Sequence, residues 1–457
     1  MQLSLKELLI HFRFHVPRSG VGLGYLNTYV FQAKAPSALI RKRVSEGSPD
    51  QRGPGMQWNT TRIRLPLVDD HKADSIYLSL PTPLLDSHFS FDQQSSIRAN
   101  NSDVHKGRLS QLDHYLASIK PLAISAHKLL RSKDGETRQL HRLITYNNSG
   151  RVINVLQGEI AHCTSSQADI LVSDDATTCH IVALWSRGQD SNIATLTHID
   201  GTGYGPCITN AVVEHIKSHS RARQNDTQSN TIHISIHIMG GFNDSDSSSI
   251  GITSSILDTL AVISSQNNDR QGPLVCMTLE TCAVASANDD GTGCPIGRGL
   301  ALDVCTGKVF LAEVENVAID DNAICNDNVF NSAQGPAITL RSTRLWAAAY
   351  HSHNSERERR LSVIHRPESE FLWIEPFFFG YHPNAEALLE YTDETLLQIT
   401  STSPGVEKSN FVRKVRESLT YINRNRSQIV FQHGCPLKFS REGANNWTVN
   451  YTLSSDG

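Results

Sequence analysis

Residues 179–200, CHIVALWSRGQDSNIATLTHID, constrain the fold more than any other stretch of the chain. Two strand-forming runs, 179–185 and 192–199, flank SRGQDS, whose glycine and short polar side chains favour a reversal. Such a hairpin commits its surroundings to an antiparallel sheet. Symmetry about residues 188 and 189 sets Cys179 opposite His198, and directly opposed side chains share a face with Cβ atoms about 4.5–5.5 Å apart. His180, adjacent in sequence, projects from the opposite face because side chains alternate along a strand. A slip of one residue would move His198 to that other face.

Cys179 follows SDDATT, a polar, hydroxyl-rich and acidic turn, and precedes the apolar IVALW. A structural cysteine usually lies inside an apolar run, whereas a working thiol needs polar neighbours and a path to solvent. A thiol beside an imidazole supports acyl transfer. The imidazole takes the thiol proton, sulfur attacks an amide or ester carbonyl, and the imidazolium protonates the leaving amine. Positive charge beside sulfur is expected to lower the thiol pKa. A third polar group fixes the imidazole tautomer, and Ser173, Asp174, Asp175, Asp200, Thr177 and Thr178 are the local candidates. Main-chain N–H groups around Cys179 are candidates for holding the oxyanion.

The rest of the sequence limits the alternatives. The chain has 457 residues, 39% of them hydrophobic, enough for a large core and for two or three domains. A net charge of -4 gives no reason to expect a nucleic-acid or anionic-membrane partner. The N-terminal MQLSLKELLIHFRFHVP is broken by Lys6, Glu7, His11 and Arg13, so no apolar core of signal-peptide length is seen, nor any run of bilayer-crossing length. An intracellular protein is expected, placed in the cytoplasm with the nucleus as a second compartment. Nine cysteines form no CxxC pair, which favours reduced thiols over a disulfide framework. No metal and no cofactor is expected: no GxxxxGK[ST] occurs, and no GxGxxG follows a strand.

The first 95 or so residues are weakly patterned and are expected to be an extension to a domain over 96–457. LDHYLASI, with Leu112, Tyr115, Leu116 and Ile119 in helical spacing, predicts a helix that Pro121 interrupts. RVINVLQGEIA and ADILVS predict strands. TIHISIHIMGGF alternates strictly and predicts a half-buried strand with His233 and His237 exposed; roughly 13 Å apart, these two cannot share one metal ion. ITNAVVEHIKS, SSILDTLAVISS and FVRKVRESLTYI predict helices. GLALDVCTGKVFLAEV and RLSVIHRPESEFLWIEP predict strand pairs, and QIVFQ and NWTVNYT further strands. Polar insertions are expected near 218–230, 283–297 and 317–343. The fold class is α+β, with helices on an antiparallel-rich sheet.

SDDATTCHIVALW, LTHIDGTG, IHIMGGFND and LLQITSTSPGVEKSNFVRKVRESL, in that order, closely resemble the protein N-terminal asparagine amidohydrolase family. The resemblance implies an α-β-β sandwich of the kind shared by cytotoxic necrotizing factor toxins and chemotaxis-receptor glutamine deamidases. It implies hydrolysis of the side-chain amide of an N-terminal Asn in a protein or peptide, giving Asp and ammonia and feeding the N-degron route to ubiquitin-dependent degradation. By matching motif positions, Cys179 is the nucleophile, His198 the general base and acid, and Ser173 the orienting hydroxyl. Selecting a terminal residue needs a carboxylate for its α-ammonium, for which Asp174, Asp175 and Glu159 are candidates. The alternatives are a related cysteine deamidase acting on another amide and a silent protein that binds N-terminal residues.

Overall fold

The computed structural model describes residues 62–66 and 75–79. From 116 to 450 it describes all but 117–118, 131–141, 145–149, 202–203, 222–230, 245–247, 267–273, 293, 315–330, 333–334, 352–360 and 444–445. In chain order the strands are β1 (Arg62–Pro66), β2 (Ser75–Ser79), β3 (Arg142–Ile144), β4 (Val152–Asn154), β5 (Glu159–Thr164) and β6 (Ile170–Ala176). They continue as β7 (His180–Ser186), β8 (Ile193–Ile199), β9 (Thr231–Gly240), β10 (Leu274–Val284), β11 (Arg298–Asp303) and β12 (Val309–Val314). The last are β13 (Asn331–Ser332), β14 (Gly335–Pro336), β15 (Ser362–His365), β16 (Phe371–Ile374), β17 (Leu437–Glu442) and β18 (Asn446–Asn450). The helices are α1 (Lys120–Leu130), α2 (Gly205–Arg221), α3 (Ser248–Gln266), α4 (Ile338–His351), α5 (Pro383–Leu389), α6 (Asp393–Thr400), α7 (Phe411–Arg424) and the short α8 (Ser427–Val430).

The class is α+β. A nine-stranded sheet runs β10-β9-β7-β8-β5-β15-β16-β17-β18, and a five-stranded sheet runs β3-β12-β11-β6-β4. Most neighbours are antiparallel; β10–β9, β5–β15, β3–β12 and β4–β6 are parallel. Alternation along β7 and β8 sorts their side chains between two cores. Ile181, Ala183, Ala194 and Leu196 pack with Leu171, Leu300 and Leu302 of the smaller sheet. Val182, Leu184 and Ile199 pack with Ile208 and Val212 of α2 and with Ile256 and Leu260 of α3. The outer face of the smaller sheet closes over Ile144, Val152, Val172, Ala301 and Val314.

Several sequence expectations need correction. Pro121 lies in the first turn of α1 rather than at a helix end, which suits a residue lacking an N–H that the first turn would leave unbonded anyway. Residues 112–115 lie outside the described residues. His233 is exposed, but His237 is buried, because β9 sits between β7 and β10 and its C-terminal half is covered on both faces. QIVFQ includes the short helix α8, not a strand; Phe431 is buried beside Phe379 there. Within the expected insertions, residues 338–343 lie in α4, and Asn288 is buried and hydrogen-bonded. The first 61 residues lie outside the described residues.

Candidate active site

β7 and β8 pair as an antiparallel hairpin, but with Ile181 opposite His198 and His180 opposite Ile199. The expected pairing of Cys179 with His198 is therefore off by two residues. The turn extends through Asn192, which is fixed from outside the hairpin: its carbonyl accepts from Ser165 N, its N–H donates to Ser165 Oγ, and its Nδ2 donates to Cys305 O at 2.6 Å. An even offset preserves the face. Cys179 and His198 remain on the side that meets the smaller sheet, as diagonal neighbours about 7–8 Å apart at the backbone, within reach of a long ring. Continuing the register by one residue sets Asp200 opposite Cys179.

Ser173 reaches His198 from the other sheet. It is fully buried on β6, on the same face as Leu171, and its Oγ lies 2.8 Å from His198 Nδ1. Nδ1 is thereby engaged and Nε2, also buried, has no hydrogen-bond partner among the described residues. The nitrogen left free is the one a thiol on that face can use. His180 turns the other way, as expected, and its Nε2 meets Thr253 Oγ1 on α3 at 2.7 Å.

Burial sets the resting protonation states. The His198 imidazole is lowered to about 4 by desolvation, against the raising influence of Asp200, Asp175 and Glu159. The Cys179 thiol is pushed up, first by burial and then by the Asp200 and Glu407 carboxylates, with a hydrogen bond from Thr178 opposing. The expected lowering of the thiol pKa is thus reversed, because burial outweighs every other influence and the neutral His198 supplies no positive charge against it.

Glycines explain the GGF element. A Cβ on Gly240 would sit 2.2 Å from Cys179 O, and Gly240 has φ +116°. Gly241, at φ +68°, donates its N–H to Cys179 O at 2.9 Å, and a Cβ there would meet the His180 ring at 2.5 Å. Only residues without a side chain let the end of β9 press against the peptide of Cys179. Asn288, fully buried, braces this turn: its Nδ2 lies 3.0, 2.9 and 2.9 Å from the carbonyls of Gly240, Gly241 and Ala283. Sequence inspection missed Asn288 because its polar surroundings resemble a loop.

The three acids expected at the α-ammonium are all engaged. Glu159 is 1% exposed, and Arg341 of α4 holds it with Nε to Oε1 at 3.0 Å and Nη2 to Oε2 at 2.5 Å, so an incoming ammonium cannot reach it. Arg341 also donates to Asn154 O at 2.6 Å. Lys408 takes Asp174 at 3.3 Å, Asp175 at 2.7 Å and Glu313 at 3.0 Å. Arg341 and Lys408 were missed because neither lies near its partners in sequence.

The loop of the STSP element packs onto the turn before the cysteine. Ser403 Oγ donates to Thr177 Oγ1 at 3.1 Å, and the Thr402 and Thr178 hydroxyls lie 3.5 Å apart. Ser401 Oγ donates to Glu407 and accepts from Ser403 N at 2.9 Å.

An α+β chain that brings a buried thiol and a hydroxyl-bonded imidazole to the face between two sheets has the parts a hydrolase of amides uses. The model of the family described as protein N-terminal asparagine amidohydrolase matches residues 144–449, and the chain belongs to that family. The protein N-terminal asparagine amidohydrolase of Sus scrofa is 26% identical over 275 residues, 60% of this chain and 75% of that protein. The Homo sapiens protein of the same name is 25% identical over 278 residues, 60% of this chain and 76% of its own length.

Proposed function

We propose that this protein hydrolyses the side-chain amide of an N-terminal asparagine, with Cys179 as nucleophile, His198 as general base and acid, and Ser173 as the hydroxyl that orients His198. The observation that carries it is the Ser173–His198 bond between the sheets, which leaves Nε2 unpartnered on the face shared with Cys179. His198 Nε2 takes the thiol proton while sulfur attacks the amide carbon. The imidazolium gives that proton to the amide nitrogen, which leaves as ammonia, and a thioester remains. Nε2 then takes a proton from water, hydroxide attacks the thioester, and Asp and the free thiol are released.

Main-chain N–H groups around Cys179 hold the oxyanion in this scheme, though not that of Gly241, already donated to Cys179 O. Two sheets with helices on the far face of the larger one support the finer fold assignment, an α-β-β sandwich like that of the toxin and chemotaxis deamidases. Residues 96–457 form the catalytic unit and 1–95 an appended segment, and the product feeds the N-degron route from the cytoplasm.

The test is ammonia release from an Asn-Leu peptide with a free or an acetylated N-terminus. Turnover of the free peptide alone is expected, abolished in Cys179→Ala and Cys179→Ser, a loss on the order of 10⁴-fold or more for a nucleophile. Turnover of the acetylated peptide would favour a deamidase of internal amides, and no ammonia from either would leave a binding protein.

A further inference from the structure

We propose that Glu407 holds the α-ammonium of the substrate, an assignment that rests on the asparagine amidohydrolase function above. Its place follows from the loop that carries it. The Ser403–Thr177 and Thr402–Thr178 contacts seat residues 401–407 on the two residues preceding the nucleophile, and Ser401 anchors the Glu407 carboxylate from within that loop. Ser401 and Ser403 are themselves buried, so the loop is part of the packed site.

Of the acids around the cysteine, Glu407 is the least engaged among the described residues, with one serine hydroxyl as its side-chain partner. Glu159 is held by Arg341, and Asp174 and Asp175 by Lys408. Asp200 accepts from Tyr204 Oη at 2.7 Å on one oxygen and from Gln157 Nε2 at 2.9 Å on the other. Glu407 has a serine hydroxyl, and among the described residues no lysine or arginine lies within ion-pairing distance; Lys408 and Lys414 act on it from farther away. Burial, less the effect of Ser401 and with the nearby Asp175 charge adding, raises its carboxyl to about 7. A half-buried carboxylate without a close counter-ion is costly, and a primary ammonium brings both a charge and three donors.

The same contact activates the enzyme. Asp200 and Glu407 are the two carboxylates that oppose thiolate formation at Cys179. An ammonium on Glu407 cancels one of them, so the substrate's own charge favours loss of the thiol proton. A blocked terminus offers neither the binding contact nor that cancellation.

The experiment compares kcat/KM for free and acetylated Asn-Leu peptides in the wild type, Glu407→Gln and Asp200→Asn. Losing a charged hydrogen bond should lower kcat/KM for the free peptide by about 10–10²-fold and shrink the free-to-acetylated ratio by the same factor. Glu407→Asp, which keeps the charge but shortens its reach, should recover part of that ratio. If the Gln variant does not fold, Ser401→Ala releases the carboxylate without discharging it, and a raised KM for the free peptide alone is expected. An unchanged ratio in Glu407→Gln, an unchanged KM in Ser401→Ala, or loss of the ratio in Asp200→Asn alone, each with an active wild type, overturns Glu407 while leaving the amidohydrolase function standing. A wild type inactive on the free peptide overturns both.

Discussion

Ile181, rather than Cys179, lies directly opposite His198 in the hairpin. The two-residue offset leaves Cys179, the proposed nucleophile, just outside β7, while His198, the proposed general base, sits one diagonal step inside. It also puts Asp200 beside the sulfur, where it raises the thiol pKa rather than lowering it. A thiol held neutral until substrate arrives is protected from oxidation, since the thiolate is the reactive form.

The two histidines next to Cys179 in sequence and in space should part company. His198→Ala removes the base and is expected to cost turnover on the order of 10²–10⁴-fold. His180→Ala removes a buried hydrogen bond to the Thr253 hydroxyl and opens a cavity, so it should lower stability by about 2–4 kcal/mol while the folded fraction still releases ammonia. Ammonia release normalised to folded protein, with denaturant melts alongside, separates the two. Full activity in His198→Ala would end the mechanism.

Ser173→Ala keeps the nucleophile and base but frees the imidazole to choose the wrong tautomer. A fall in kcat of about 10²-fold with little change in KM is expected, because the orienting member matters less than nucleophile or base. Ser173→Thr keeps a hydroxyl and should recover part of kcat if its extra methyl fits. Steady-state kinetics on the free Asn peptide reads this, and an unchanged kcat would remove Ser173 from the mechanism.

Arg341 is 2% exposed and Glu159 1%, and removing one partner leaves the other charge buried. Arg341→Met should cost about 3–5 kcal/mol, and the double variant with Glu159→Gln should recover much of that. Urea denaturation midpoints give the comparison. Independent, additive losses would show that the pair is not coupled.

Acid should destabilise the protein through its buried imidazoles. Burial lowers His162, His198 and His365 to about 4 and His180 and His215 to about 3. His162 and His215 share the Thr195 hydroxyl at 2.8 and 2.9 Å, and His215 reaches Ser186 at 2.9 Å, contacts that neutral rings satisfy. The unfolded chain takes up protons near the ordinary value of about 6.5 and the folded chain does not. Stability is therefore complete above that pH and declines as pH falls through it toward 4, at up to about 1.4 kcal/mol per pH unit for each histidine. Denaturant midpoints at pH 7.5, 6 and 5 test the slope; a flat profile would contradict the burial of these rings as charged-state penalties.

The sequence alone determined what depends on local periodicity and local chemistry. Alternation along 179–185 put Cys179 and His180 on opposite faces, since the pleat has a period of two. The four ordered blocks marked the family, and the helices at 208–218, 254–265 and 411–422 followed from their apolar spacing. Only the tertiary structure decided the register, because Asn192 is anchored by Ser165 and Cys305, which no hairpin symmetry can include. It alone decided that Ser173 meets His198 across two sheets, that Arg341 neutralises Glu159 from 182 residues away, and that Glu407 is anchored by Ser401 with no cation in ion-pairing distance among the described residues. Burial and long-range pairing set charge, and neither is a property of a short stretch of chain.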